Sequence, residues 1–226
     1  RAVRKPSDMG FDDTRYKLPP LNYRYHEVQP RTTQPGLLFD LPVAGFFEVK
    51  QERKRTLVER CEQVAALVND TEEPAIVWCQ LNDEGDTLAR MIPDAVQVSG
   101  KDSDTDKEAK LEAFQAGSER VLITKPVIGA WGLNLQHCNH AVMFPDYSFE
   151  QHYQAVRRCW RFGQTRPVTV DMVTTPGSAD VLDRLERKRV QSDRMFESLI
   201  TNMNEAIRIN RRAAAGLALE LPAWII

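Results

Sequence analysis

Apolar residues at Leu57, Cys61, Val64, Ala65 and Val68 recur at i, i+4, i+7, i+8 and i+11. That spacing predicts one buried face of a helix. Five short apolar runs follow a different rule: Ala75–Cys79, Ala95–Val98, Val121–Thr124, Ala141–Phe144 and Val168–Val173. Each is too short for a helix and reads as a buried strand. Helix signals separate them. Leu88, Met91 and Ile92 precede Pro93, and Thr105-Asp106-Lys107-Glu108 fits a capping box opening a helix through Leu111 and Phe114 to Gly117. Phe149 to Trp160 reads as a helix stopped by Gly163, and Ser178 opens a long charged helix carrying Val181, Leu182, Leu185, Phe196 and Leu199. Asn202 to Leu219 is also expected to be helical, with Ala213-Ala214-Ala215 favouring it. Short strands alternating with helices imply βαβ units: an α/β fold with a doubly wound parallel sheet and helices on both faces.

Before this regular region the pattern is weaker. Residues 1–50 hold six of the thirteen prolines and read as a lead-in or linker. A strand is expected between Asn22 and Gln29, and a short hairpin from Leu37-Leu38-Phe39 and Phe46-Phe47. The expected organisation is a lead-in over 1–50, an α/β domain over 51–200 and a helical tail over 201–226.

Composition narrows the class. In 226 residues, 42% are hydrophobic and 27% charged, which argues against a disordered, collagen-like or disulfide-scaffold chain. Cys61, Cys79, Cys138 and Cys159 form no C-x-x-C pair, so reduced buried thiols in a cytoplasmic protein are expected. No apolar run reaches the ~18 residues of a membrane span. The chain begins at Arg1 without a signal-peptide pattern, and a fragment of a longer protein is expected. The net charge of −2 is unevenly spread. Residues 83–113 hold nine acids and four bases, whereas residues 154–194 hold nine bases and five acids. That basic surplus points to an anionic partner or, over 184–194, to a solvated helix face.

Nucleotide binding is the first chemistry to test in such a sheet, since ligands sit outside the carboxyl ends of its strands. Neither G-x-x-x-x-G-K-[ST] nor G-x-G-x-x-G occurs. Asp83-Glu84 imitates a metal-binding acidic pair but fits a helix N-terminus, where acids favour the dipole. His137, Cys138 and His140 crowd into four residues with no distant second cluster, a poor tetrahedral set, so no metal site is expected. The informative segment is Gln154 to Gln164. Gln154, Arg158 and Arg161 stand at i, i+4 and i+7 on one helix face. Two arginines one turn apart suit a phosphate, because guanidinium is always charged and donates in a fork. Position alone equally allows two surface arginines near a helix C-terminus.

The pattern Q-A-x-x-R-x-x-R-x-G-Q over 154–164 resembles motif six of the Swi/Snf-type branch of the superfamily two helicases and translocases. Ala75–Cys79 resembles motif four, and Val98-Ser99-Gly100 the short strand that ends in Gly before a helix. Thr124 to Leu135, with Gly132-Leu133-Asn134-Leu135, resembles motif five, although Pro126, Val127 and Ile128 lengthen the loop before Gly129. The wordings Leu18-Pro19-Pro20-Leu21, Ile123-Thr124-Lys125-Pro126 and Arg157-Arg158-Cys159-Trp160-Arg161 resemble helicases of phages and prophages. The resemblance covers residues 75–175 best.

The resemblance implies a C-terminal RecA-like lobe and one half of a two-lobed ATP-hydrolysing motor. ATP and Mg²⁺ would be held mainly by an N-terminal RecA-like lobe of the same polypeptide. Arg158 and Arg161 would face the ATP γ-phosphate as arginine fingers, with Gln154, Gly132 and Asn134 beside the nucleotide. Thr124, Lys125, Ser99 and Lys101 would approach the backbone of DNA, with RNA as the other candidate, and no membrane is implied. This chain alone would be inactive. The rival class is an interaction module that kept the fold and lost catalysis. A stand-alone phosphate-binding enzyme is disfavoured because no nucleophile, base or metal set is visible.

Overall fold

A computed structural model describes residues 18–32, 46–128, 133–146 and 148–216. The elements are β1 (Leu21–Glu27), α1 (Phe46–Arg55), α2 (Leu57–Asn69), β2 (Ala75–Trp78), α3 (Asn82–Met91), β3 (Ala95–Gln97), α4 (Asp104–Ala116), β4 (Val121–Thr124), β5 (His140–Met143), α5 (Phe149–Cys159), β6 (Val168–Thr174) and α6 (Ala179–Gly216). Leu18–Lys188 forms one compact unit. Within it the six strands make one sheet in the order β1-β6-β5-β2-β4-β3, parallel throughout.

Alternation along the strands sends side chains to two cores. On one face Ile76, Trp78, Leu122, Ala141, Met143, Val170 and Met172 pack with Phe114 of α4, Ala155 and Val156 of α5 and Leu185 of α6. On the other, Ala75, Val77, Val121, Ile123 and Val142 pack with Cys61, Val64 and Val68 of α2 and Leu88 of α3. The central strands are therefore buried on both sides, which is why they read as unbroken apolar runs.

β1 is an edge strand in register with β6, Leu21 opposite Val168 and Tyr25 opposite Met172. A polar knot fastens it. Asp171 of β6 has no solvent exposure and binds His26 at 2.7 Å, His140 of β5 at 2.7 Å and Arg24 at 2.9 Å. A lone buried carboxylate is costly, and these three partners satisfy it.

Several local expectations change. Phe46-Phe47 opens helix α1 instead of closing a hairpin, while Leu37-Leu38-Phe39 lies outside the described residues. α1 is fixed by tertiary contacts. Glu52 accepts from Thr175 at 3.0 Å and pairs with Arg55 at 2.7 Å, and Arg53 donates to the Pro145 carbonyl at 2.7 Å. The cap of α4 is Ser103, not Thr105: its hydroxyl accepts from the Asp106 amide at 3.1 Å and donates to the Asp106 carboxylate at 2.7 Å. Gly117 ends that helix at φ +79°, as its sequence position anticipates. The two helices expected after Ser178 are one, α6, which continues through Asn202 to Gly216. Its basic stretch is paired within the helix, Arg184 with Asp180, Arg187 with Asp183 and Arg189 with Asp193. These i, i+4 pairs favour the solvated-face reading of that segment.

Candidate functional site

The parallel sheet places the site residues at two opposite edges. Ser99 and Lys101 follow the carboxyl end of β3, and Thr124 and Lys125 stand at the carboxyl end of β4. Ser99, Thr124 and Lys125 line one narrow cleft with Cys79, Asn82 and Gly85. The turn beneath Lys101 is built locally: Asp102 accepts from the Ser99 amide at 2.7 Å and pairs with Lys110 at 2.9 Å, and the Lys101 amide donates to the Ser99 hydroxyl at 3.2 Å. Lys101 is exposed and Lys125 half-buried. Neither has an ion pair among the described residues. Thr124 differs, because its side chain is buried and donates to the Val98 carbonyl at 3.0 Å. Its hydroxyl braces β4 against the end of β3.

Behind this edge, Glu84 does what an acid in a first helical turn is expected to do, and more. It accepts from the Gln80 and Leu81 amides at 2.7 and 2.9 Å and pairs with Arg60 at 2.7 Å, fully buried. Arg60 also donates to Thr56 at 3.1 Å and to the Arg53 carbonyl at 2.5 Å, and lies 4.6 Å from the Phe144 ring centroid. The loop after β2 is thus pinned to α2.

The arginines lie at the amino edge. The chain crosses from the end of β4 to the start of β5, and there the Leu135 amide donates to the Arg158 carbonyl at 3.1 Å. Asn134, exposed, is therefore brought beside the end of α5, whereas Gly132 lies outside the described residues. Arg158 and Arg161 are half-buried, and among the described residues neither side chain has a carboxylate partner. Burial and then the Arg161 charge lower the pKa of Arg158 from its ordinary value. Two cations with no counter-charge among the described residues make a site that favours an anion, and a phosphate fits their fork geometry. Gln154 is exposed and donates to Glu150 at 3.1 Å. Arg157, on the adjoining face, is held between Tyr153 and Trp160, 5.3 and 4.7 Å from their ring centroids.

The turn after α5 is closed by two glutamines. Gln164, buried, donates to the carbonyls of Gln136 at 2.9 Å and Cys138 at 3.0 Å, and accepts from the Thr165 and Arg166 amides at 3.1 and 3.0 Å. Gln136 in turn donates to the Phe162 carbonyl. Gly163 turns at φ +96°, and a Cβ there would stand 2.8 Å from the Gln136 amide nitrogen. These ties escaped the sequence reading. Gln164 is visible as part of the motif, but its carbonyl partners Gln136 and Cys138 lie 28 and 26 residues upstream.

His137, Cys138 and His140 point to separate tasks. His140 binds Asp171, Cys138 donates to the carbonyls of Pro74 at 3.3 Å and His140 at 3.1 Å, and His137 stands edge-on to Phe114 at 4.8 Å. Burial, then the nearby Arg166 charge, lowers the His137 pKa. All four cysteines are free and buried. Burial pushes the Cys61 thiol up to about 12. Among the described residues no helix is long and apolar enough to cross a membrane.

The parallel six-stranded sheet with helices on both faces is a RecA-like fold. Residues 57–163 match the family model of the helicase conserved C-terminal domain. The chain is 23% identical over 203 residues to a DNA repair and recombination protein RAD54-like of Drosophila virilis, a match spanning 88% of this chain and 23% of the relative. It is 29% identical over 184 residues to the DNA repair protein RAD5 of Yarrowia lipolytica, spanning 70% of this chain and 18% of the relative. It is 27% identical over 110 residues to the human lymphoid-specific helicase, spanning 48% and 13%. The chain thus spans under a quarter of the length of these curated relatives. Among solved structures, the C-terminal part of the Fun30 ATPase domain superposes with a TM-score of 0.51 at 16% identity, over 56% of this chain and 45% of that one. A DEAD box protein of Methanococcus jannaschii gives 0.56 at 17% identity, over 75% and 40%. Both share the fold.

Proposed function

We propose that this chain is the second motor lobe of an ATP-dependent DNA helicase or translocase. The observation that carries the reading is the Arg158–Arg161 pair, a concentration of positive charge without an acid partner among the described residues, within the segment 57–163 that matches the helicase conserved C-terminal domain. ATP and Mg²⁺ would be held mainly by the N-terminal RecA-like lobe of the same polypeptide. The residues described here fit the phosphate half of that arrangement: they offer guanidinium donors and no carboxylate set for the metal. Mg²⁺ would neutralise charge on the phosphates.

Arg158 and Arg161 would meet the γ-phosphate as the lobes close, with Gln154, Asn134 and Gly132 beside the nucleotide. Fixed cations at the point where charge spreads over the transferred group lower the barrier, an effect of ~10³–10⁵ in rate for arginine fingers. At the other edge Ser99, Lys101, Thr124 and Lys125 would follow a nucleic-acid backbone, contacts that carry no sequence information. Thr124 would contribute by bracing the β3 and β4 ends. Loss of the bridging phosphate opens the lobes, and alternate closure against a gripped backbone moves the motor along DNA. The Leu18–Leu21, Ile123–Pro126 and Arg157–Arg161 wordings support a phage or prophage source, and the reduced thiols a cytoplasmic one.

The test is Arg161→Ala in the two-lobed polypeptide. DNA-stimulated ATP turnover is expected to fall at least ~10³-fold while fluorescent-nucleotide affinity stays within a few-fold, because only transition-state stabilisation is removed. Turnover and affinity both at the parent level would overturn the reading. This lobe alone is expected to show no DNA-stimulated turnover in a phosphate-release assay.

A further inference from the structure

The two arginines that the proposed function relies on sit at a helix end followed by a sharp turn, a place where side chains ordinarily wander. Here the turn is tied down. Gln164 is 6% exposed. Its amide nitrogen reaches the carbonyls of Gln136 at 2.9 Å and Cys138 at 3.0 Å, on the segment leading into β5. Its amide oxygen takes the Thr165 and Arg166 amides at 3.1 and 3.0 Å. With the Cys159 carbonyl at 3.4 Å, one side chain thus meets five backbone groups in two segments. Two further ties run the same way: Gln136 to the Phe162 carbonyl, and the Leu135 amide to the Arg158 carbonyl at 3.1 Å. The backbone at Arg158 and the turn after Arg161 are therefore tied to the segment that carries Asn134.

We propose that Gln164 is a positioning residue, acting through the 135–138 segment to hold Arg158 and Arg161 at fixed places for the transferred phosphoryl group. This rests on the arginine reading above. The physical reason is preorganisation: a cation stabilises a transition state only if it is already aimed when charge develops, and misplacement by about 1 Å costs on the order of 10²-fold. Ground-state phosphate tolerates looser aim, because two flexible guanidinium groups can still find it.

Gln164→Glu keeps the shape and the acceptor oxygen but replaces the NH₂ donor with a second acceptor facing three carbonyl oxygens. Burial and those oxygens disfavour the ionised form and raise the pKa of the introduced carboxyl, outweighing the Thr165 and Arg166 amides and the nearby Arg166 charge, which favour it; His137 is a titratable neighbour on the facing segment. Once protonated it donates one hydrogen bond again. In the two-lobed polypeptide at pH 8, kcat for DNA-stimulated ATP turnover is expected to fall ~10–100-fold with KM for ATP within about threefold. The deficit relative to the parent protein at the same pH should shrink as pH falls from 8 to 6. A merely structural defect would not recover in acid. Gln136→Ala, at a half-exposed position, serves as the second variant should Gln164→Glu fail to fold, and should lower kcat several-fold at unchanged KM and melting temperature. Arg161→Ala is run alongside. If Arg161→Ala abolishes turnover while a folded Gln164→Glu or Gln136→Ala keeps the parental kcat, the positioning role is refuted and the arginine reading stands. Loss of kcat in step with melting temperature, without recovery in acid, also refutes it. Parental turnover in Arg161→Ala refutes both.

Discussion

Glu84 and Arg60 face each other at 2.7 Å with both side chains cut off from solvent, one in the first turn of α3 and the other in α2. Glu84 also holds the Gln80 and Leu81 amides, so the same carboxylate closes the helix and anchors the loop after β2. Removing one partner of a buried pair leaves the other charged and uncompensated, which costs about 3–5 kcal/mol. Arg60→Ala should therefore lower the unfolding free energy by about that amount, read by chemical denaturation. Arg60→Met, which leaves Glu84 equally unpaired, should be comparably damaging. A loss under ~1 kcal/mol in both would mean that Glu84 is satisfied by the backbone amides alone.

Asp171 sets an acid limit on stability. Burial alone would raise its pKa, but hydrogen bonds from His140 and His26 and the charges of His140 and Arg24 outweigh burial and hold it at about 2. A carboxyl depressed in the folded state stabilises above its unfolded pKa of ~3.9 and loses that contribution as pH falls through the folded value. The contribution is about 2 kcal/mol at neutral pH, lost between about pH 4 and pH 2. Asp171→Asn should lower stability at pH 7 and flatten the acid limb of a denaturation series between those values. An unchanged acid limb would show that Asp171 is not the linked group.

Lys125 belongs to the proposed backbone grip, and the net charge of −2 gives the chain no general attraction for nucleic acid. Lys125→Ala in the two-lobed polypeptide should weaken DNA binding similarly for unrelated sequences. It should also reduce the slope of log affinity against log salt by about one unit or less. Fluorescence anisotropy over a salt series on two unrelated duplexes reads both. An unchanged slope, or a loss confined to one sequence, would remove Lys125 from the grip.

The chain's own pattern determined the layered fold. β2, β4 and β5 are legible because a strand buried on both faces is apolar at nearly every position, β6 because Val168, Val170, Met172 and Val173 outweigh Thr169 and Asp171, and the helices between them because one face repeats at 3.6 residues. The helix carrying Gln154, Arg158 and Arg161 was legible for the same reason, since i, i+4 and i+7 share a face whatever surrounds them. Gly163 and Gly117 announced chain reversals that the backbone makes at positive φ. What escaped the sequence depends on partners far along the chain. α1 has a highly polar sequence, and it is held through Glu52 and Arg53 by groups near residues 145 and 175. The Ser103 cap beat the Thr105 pattern because the first turn begins where a hydroxyl reaches the Asp106 amide. Only tertiary structure decided that Thr124 turns inward to Val98, that Asp171 gathers two histidines and an arginine from two other strands, and that Gln164 reaches back to residues 136 and 138. Local periodicity fixes which side of an element is buried. It carries no information on which distant carbonyl or carboxylate will stand within 3 Å, because that is set by how the strands are ordered across the sheet.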